Sequence, residues 1–259
     1  MKTATPKQWF DACAMIGGWH RTPPQFSTAA QLLGHMERFR IARALVFHSI
    51  AWMYDFRQGN AVLDDEIAAH PQLVPCYAVV PSATGETPEL EHWDGLLRGG
   101  RRFAFRLFPR SHEFMPCSPG ANRFHEFAAH RRIPVLVDID EISWDDLWTL
   151  CRTHPLLRVI IGNSGTNALY GLFRQLRRLY EFLELFPQVR IETSLLCGFR
   201  NLEAICERFG AGRLIFGSRM PFWEPGSSIM RLQYADLDPR EKQLIAHDNL
   251  AALLDEVGP

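Results

Sequence analysis

Long apolar runs are missing from this chain of 259 residues. Nothing approaches the roughly 18 consecutive apolar residues of a membrane-spanning helix, so no membrane association is expected. A charge excess is missing too: 28 Lys and Arg against 29 Asp and Glu leave a formal net charge of −1. With no basic surplus, nothing selects nucleic acid or an acidic membrane surface as partner. The six cysteines, at 13, 76, 117, 151, 197 and 206, form no CxxC pair. That spacing excludes a zinc knuckle and points to free thiols rather than a disulfide framework. The segment from Met1 to Gln8 lacks the apolar core of a signal peptide, and with free thiols this makes a cytoplasmic protein the expectation. No G-x-G-x-x-G follows an apolar strand, so a dinucleotide site has no support.

What is present is alternation. Strand-like runs are expected near 9–16, 43–48, 73–80, 102–108, 133–139, 157–162, 188–194 and 213–217. Several are continuously apolar, as in Ala44-Leu45-Val46-Phe47, Pro134-Val135-Leu136-Val137 and Val159-Ile160-Ile161. Parallel strands covered on both faces need that pattern. Stretches of helical period lie between them: Thr28 to Arg38, with Ser27 or Thr28 as cap and Leu32, Leu33 and Met36 on one stripe, Ser143 to Thr153, and Leu169 to Leu185. Helix-to-strand connections are short, whereas strand-to-helix connections, such as Gly17 to Phe26 and Phe108 to Asn122, are longer and chemically richer. The expectation is one α/β domain over 1–259, a single (β/α)8 TIM-type barrel with its site at the strand C-termini. A further helix over about 238–256 closes it, and a doubly wound open sheet is the structural alternative.

The run Leu214-Ile215-Phe216-Gly217-Ser218-Arg219-Met220-Pro221 resembles the last barrel strand of the amidohydrolase-2 family of metal-dependent hydrolases, FGSD followed by a residue and Pro. Four landmarks extend the resemblance over essentially the whole chain. Phe10 to Gly17 is similar to the opening strand, FDxHxHxG. Ala104-Phe105-Arg106-Leu107-Phe108-Pro109 is similar to the fourth strand. Ile133-Pro134-Val135-Leu136-Val137-Asp138 resembles the fifth, which normally ends in His. His154 to Gly165 resembles the sixth, normally ending His-x-Gly. The resemblance implies an amidohydrolase-like barrel with a catalytic metal, but the ligand positions depart from the family. The first-strand histidines become Cys13 and Met15, the fifth-strand His becomes Asp138, the sixth-strand His becomes Asn163, and the last-strand Asp becomes Arg219. Arg106 takes the fourth-strand position. Zinc needs about three or four N, S or carboxylate ligands. Only Cys13 and Asp138 qualify, and two guanidinium groups would crowd the same spot. No metal and no cofactor are therefore expected.

The candidate site residues follow. Arg106 and Arg219 would bind a substrate carboxylate or an oxyanion, or pair internally with Asp138 or Glu192. Asp138 would be a general base, ionised and weak beside the arginines, or their ion-pair partner. His48 ends the second strand and is the favoured acid or base among the histidines; His20 and His112, in strand-to-helix loops, are placed with the substrate. Cys13 is a candidate nucleophile or a packing residue. Asn163 would orient a carbonyl or a water, and Asp11 would anchor an arginine. Histidines 35, 70, 92, 125, 130, 154 and 247 read as surface or capping residues. Aromatic residues near the loops, Trp19, Trp52, Tyr54, Phe222 and Trp223, suit a pocket wall, loop packing or a homo-oligomer interface. The expected function is metal-independent hydrolysis of a small carboxylate-bearing lactone or ester. The alternative is an inactive barrel that binds a small anionic molecule or a protein partner.

Overall fold

The computed structural model describes residues 5–21, 23–81, 84–164 and 175–259. Eight strands form one sheet in sequence order: β1 Trp9–Ile16, β2 Ile41–His48, β3 Leu73–Ala78, β4 Ala104–Leu107, β5 Val135–Asp138, β6 Val159–Gly162, β7 Val189–Glu192 and β8 Leu214–Ile215. Each pairs in parallel with the next. β8 returns to β1 through Ala12 N–H donating to Phe216 O at 3.0 Å and Met15 N–H to Met220 O at 2.9 Å. This is the expected (β/α)8 barrel rather than the open sheet.

The helices are α1 Ala29–Phe39, α2 Ser49–Met53, α3 Phe56–Ile67, α4 Leu90–Arg98, α5 Pro119–His130, α6 Trp144–Thr153, α7 Gln175–Leu185, α8 Asn201–Phe209, α9 Pro225–Tyr234, α10 Pro239–Gln243 and α11 Asn249–Asp255. The start of α1 is fixed by a capping box: Thr28 accepts from Gln31 N–H while the Gln31 side chain reaches back to the Thr28 backbone. Ala29, Leu32 and Met36 are buried, whereas Leu33 sits at the edge of the stripe. The first residues of the helical stretch expected from Leu169, up to 174, lie outside the described residues.

The C-terminal stretch is not one regular helix. A π-helical turn, Leu244–Asp248, joins α10 to α11. There Ile245 O accepts from Phe216 N–H at 2.9 Å. The helix thus takes a backbone donor just past β8, which is why that strand is shorter than expected. No described helix is long and apolar enough to cross a membrane.

Register carries the inward residues to one end. Asp138 pairs with Gly162, Glu192 with Ile215, and Ala78 with Arg106. Two glycines make room for inward carboxylates. A Cβ on Gly162 would lie 2.1 Å from Asp138 Oδ1, and one on Gly217 would lie 1.9 Å from Glu192 Oε1.

Candidate active site at the barrel mouth

Four of the expected residues meet. Arg106 Nη2 donates to Asp138 Oδ2 at 2.7 Å, and Arg106 Nη1 lies 3.8 Å from Cys13 Sγ. Arg219 Nη1 stands 3.4 Å from the same Asp138 oxygen. Arg106 and Asp138 are almost fully buried, with side chains 3% and 5% exposed, while Arg219 keeps 14% exposure. The Arg106 guanidinium lies 4.5 Å from the Phe47 ring centre and 5.3 Å from that of Phe108, a cation–π setting that also seals it from solvent.

The electrostatics follow from this packing. Burial works to raise the Asp138 carboxyl, but the Arg106 and Arg219 guanidiniums outweigh it and hold the group below the usual carboxylate range. Burial pushes the Cys13 thiol up to about 12, against the pull of Arg106. The thiol is therefore protonated at neutral pH, which favours its packing role over the nucleophile. Asn163 follows β6 in left-handed backbone, φ 53°, which Asn adopts readily, and Arg219 follows β8 likewise, φ 60°, where the conformation costs roughly 1–2 kcal/mol.

The three candidate histidines are used differently from one another. The His48 ring caps α2: its Nδ1 accepts from Ile50 N–H at 3.1 Å. It packs so closely on Gly17 that a Cβ there would lie 2.6 Å from Cε1. Burial lowers its pKa, so the ring is neutral. His112 Nε2 donates to Trp52 O at 2.9 Å, and burial lowers its pKa as well; the ring braces the wall behind Trp52. Only His20 is exposed, with Nδ1 3.0 Å from Met53 Sδ.

His20 lines an open cavity of about 600 Å³ with Trp19, Trp52, Tyr54, Ser111 and Asp140. Trp52 stacks on Phe108 at 5.2 Å, and its Nε1 donates to Ser111 Oγ at 3.2 Å, which is itself held by Glu141. Trp19 meets Phe222 edge-on at 4.8 Å, and Phe222 N–H donates to Arg219 O at 3.0 Å. Trp19, Trp52 and Tyr54 thus form part of this cavity's wall, whereas Phe222 and Trp223 line a separate, smaller cavity with Met220 and Pro221.

Three expectations are corrected. Asp11 anchors no arginine among the described residues. Its Oδ1 accepts from Cys13 N–H and Ser218 N–H, each at 2.9 Å, and its Oδ2 accepts from Ser218 Oγ. It ties β1 to the end of β8 instead. Glu192 makes no ion pair among the described residues; Ser194 N–H and Oγ hold its two oxygens. His125 is neither a surface nor a capping residue: it is fully buried within α5, its ring 5.4 Å from that of His154, which does cap, at the C-terminus of α6. The sequence pattern gave Glu192 only a supporting part, although its place as the acid that ends β7, Val189-Arg190-Ile191-Glu192, was the available signal.

A catalytic metal does not fit this donor set. Among the described residues no three His, Cys, Asp or Glu side chains converge as a metal site. Asp138, the best remaining donor, has two guanidinium groups on its Oδ2, and a divalent cation there would be repelled by both.

A family model for amidohydrolases matches residues 5–255. No curated protein matches the chain in sequence. Among solved structures, the chain is similar to a putative 2-pyrone-4,6-dicarboxylic acid hydrolase from Pseudomonas putida, at 17% identity, with 96% of this chain and 97% of that one covered and a TM-score of 0.71. It is similar to a 2,6-dihydroxybenzoate decarboxylase from Rhizobium, at 14% identity, 97% and 99% coverage and a TM-score of 0.70. A probable 2-pyrone-4,6-dicarboxylic acid hydrolase from Acinetobacter baumannii, with citric acid bound, is 16% identical over 95% and 99% of the two chains, with a TM-score of 0.70. At these identities the likeness shows the shared fold.

Proposed function

The chain belongs to the amidohydrolase family, and from that premise we propose that it is a metal-independent hydrolase of a small carboxylate-bearing ester or lactone. The observation that carries the proposal is the shortage of counter-charge at the mouth. Arg106 and Arg219 share one oxygen of Asp138. Arg106 Nε and Arg219 Nη1 have no hydrogen-bond partner, since the 3.4 Å contact of Arg219 is an ion pair without hydrogen-bond geometry. Buried guanidinium donors left in that state favour an arriving anion. Arg219, at the open edge, takes the carboxylate, and the Trp19–Trp52 wall takes the rest of a small ligand.

Attack of water on an ester carbonyl builds negative charge on its oxygen. The paired guanidiniums supply a positive field where a metal would otherwise act. Asp138, kept ionised, accepts the proton of the attacking water and returns it to the leaving oxygen as the ester C–O bond breaks. It is a weak base, so an activated ester or lactone suits it better than an amide. His20 at the cavity edge and Asn163 at the end of β6 orient the bound molecule. His48 and His112 hold the walls, and Cys13 packs beside Arg106. The structural neighbours named for dicarboxylic acid hydrolysis and for dihydroxybenzoate decarboxylation lend support to a carboxylate ligand.

A second reading, a binding barrel without turnover, is favoured by one observation: Arg106 packs against Phe47 and Phe108, and Asp138, its partner, is almost fully buried. One experiment separates the readings. Protein purified without chelator is analysed for metal, then assayed on a panel of carboxylate esters and lactones with and without chelator. Turnover that survives chelation, with far less than one equivalent of metal, supports the hydrolase. Stabilisation by carboxylates without turnover supports the binding barrel. Stoichiometric metal lost together with activity rejects both.

A further inference from the structure

Glu192 is a second acid at the mouth, and neither arginine holds it. It ends β7 buried, 1% exposed. Ser194 N–H donates to Oε1 at 2.5 Å, and Ser194 Oγ lies 2.7 Å from Oε2. Oε1 rests in the space left by Gly217, two residues before Arg219. The charged and titratable groups around it are few. Arg219 faces it from the loop after β8, and Asp11 from β1; Cys13, also on β1, feels its charge. From α9, Arg231 binds the neighbouring carbonyls of Thr193 and Ser194 at 2.7 and 3.2 Å.

The charge balance of this cluster depends on Glu192. Arg106 and Arg219 carry two positive charges, and ionised Asp138 cancels one. Asp11 is held by two backbone N–H groups and Ser218 rather than by an arginine. With Glu192 protonated, the arginine pair keeps one uncompensated charge and accepts a monoanion. With Glu192 ionised, that charge is already met, and an arriving carboxylate competes with it for Arg219. An anion on Arg219 also withdraws the field that helps Glu192 ionise, so ligand and proton favour each other.

Resting on the anion-site reading above, we propose that the mouth takes up its carboxylate ligand together with one proton, which Glu192 holds. The Ser194 hydroxyl serves both states, donating to the carboxylate or accepting from the carboxylic acid. Burial pushes the Glu192 carboxyl up to about 7, partly offset by the Ser194 bonds. The proton is therefore exchanged near neutral pH, not only in acid. The sign is fixed: carboxylate affinity is highest below this value and falls as pH rises through it, approaching tenfold per pH unit for one coupled proton.

The test uses benzoate, which stays ionised from about pH 6 to about pH 9. Its Kd on the full chain is measured by calorimetry across that range, in two buffers of different ionisation enthalpy so that proton uptake is counted. Wild type is expected to take up a fraction of a proton that rises toward one as pH rises, with weakening affinity. Glu192→Gln stays neutral and should hold the low-pH affinity throughout, with no proton uptake. Ser194→Ala loses a bond that favours the ionised form, so the fall in affinity should move to higher pH. Asp11→Asn should keep the wild-type slope. If Glu192→Gln does not fold, the wild-type proton count and the Ser194→Ala shift still decide the matter. Benzoate binding without proton uptake, a slope retained in Glu192→Gln, or a slope lost only in Asp11→Asn overturns the coupling and leaves the anion site standing. No benzoate binding at any pH, in wild type and Glu192→Gln alike, rejects the anion site and the coupling with it.

Discussion

Arg219 Nη1 lies 3.4 Å from Asp138 Oδ2, the oxygen that Arg106 already holds at 2.7 Å. One carboxylate oxygen serves two guanidiniums, and the two arginines do unequal work. Arg106 makes the short, buried bond against two phenylalanine rings, whereas Arg219 is the more exposed of the two and makes only the longer 3.4 Å contact. Support and recognition are thereby divided between neighbouring residues of the same type.

That division predicts opposite outcomes for the two arginines. Arg219→Met should remain folded and cost less than the Arg106 change, because its contact with Asp138 is the longer one and its side chain the less buried, and it should lose stabilisation by carboxylates. Arg106→Met leaves Asp138 buried without its main partner and should cost about 3–5 kcal/mol. Denaturant melts of both variants, with and without benzoate, check the pair. Equal effects from the two substitutions would contradict the division.

Asp138→Asn tests the same relationship from the other side. The change leaves two guanidiniums facing each other with no counter-charge, so stability should fall by about 3–5 kcal/mol. Added sulfate or benzoate should recover part of the loss by supplying the missing negative charge beside Arg219, and should do so more strongly than in wild type. A variant whose thermal midpoint ignores both anions would count against the mouth as an anion site.

The barrel was legible in the sequence because continuous apolar strands such as Val159-Ile160-Ile161 have few other uses, and period-two spacing puts Cys13 and Asp11 on one face of β1. Arg106, Asp138 and Arg219 could be brought together from strand ends alone. What strand position does not encode is which partner a polar side chain chooses. His48 spends its Nδ1 on the α2 N-terminus, and Asp11 closes the barrel through Ser218. Glu192 turns to Ser194, its neighbour two residues on. These choices are settled within a few ångströms by local backbone donors. The burial of His125 depends in the same way on how α5 packs near the end of α6, which helical period alone leaves open.

The glycines opposite the two inward acids give a steric test. Gly217→Ala would put a Cβ 1.9 Å from Glu192 Oε1, and Gly162→Ala would put one 2.1 Å from Asp138 Oδ1. Each side chain must move, at a cost of about 1–3 kcal/mol. Only Gly162→Ala disturbs the carboxylate shared by the arginines, so it alone should weaken benzoate binding at low pH, where Glu192 is protonated. Urea melts and calorimetry on the two variants separate loss of stability from loss of binding.

Cysteine reactivity checks the reading of Cys13. Burial pushes its thiol up to about 12, and does the same for Cys76 and Cys151, whereas Cys197 is exposed. Native protein treated with iodoacetamide near neutral pH should therefore label rapidly at Cys197 and slowly at Cys13. Cys13→Ser should keep whatever turnover the wild type has. Rapid alkylation of Cys13 accompanied by loss of turnover would restore the nucleophile.

The buried histidine sets the acid limit of the fold. Burial lowers His125 to about 4, reinforced by the charge of nearby His154. Its Nε2 donates to Pro116 O at 2.9 Å, and its Nδ1 is buried without a partner. The folded state thus prefers the neutral ring, while the unfolded chain protonates it near its ordinary value, about 6.5. The sign follows: as pH falls below about 6.5, the unfolded state gains protons first and stability declines, levelling only near the folded value. Over that window the single residue accounts for about 3 kcal/mol. Asp138, held low by Arg106 and Arg219, loses its contribution only in stronger acid, so the two losses separate along the pH axis. His125→Gln keeps a donor for Pro116 O and does not titrate. Its denaturation midpoint should be lower than wild type at neutral pH, with a flatter decline between about pH 6.5 and pH 4. Parallel curves for the two proteins would remove His125 as the cause and direct attention to the remaining buried acids.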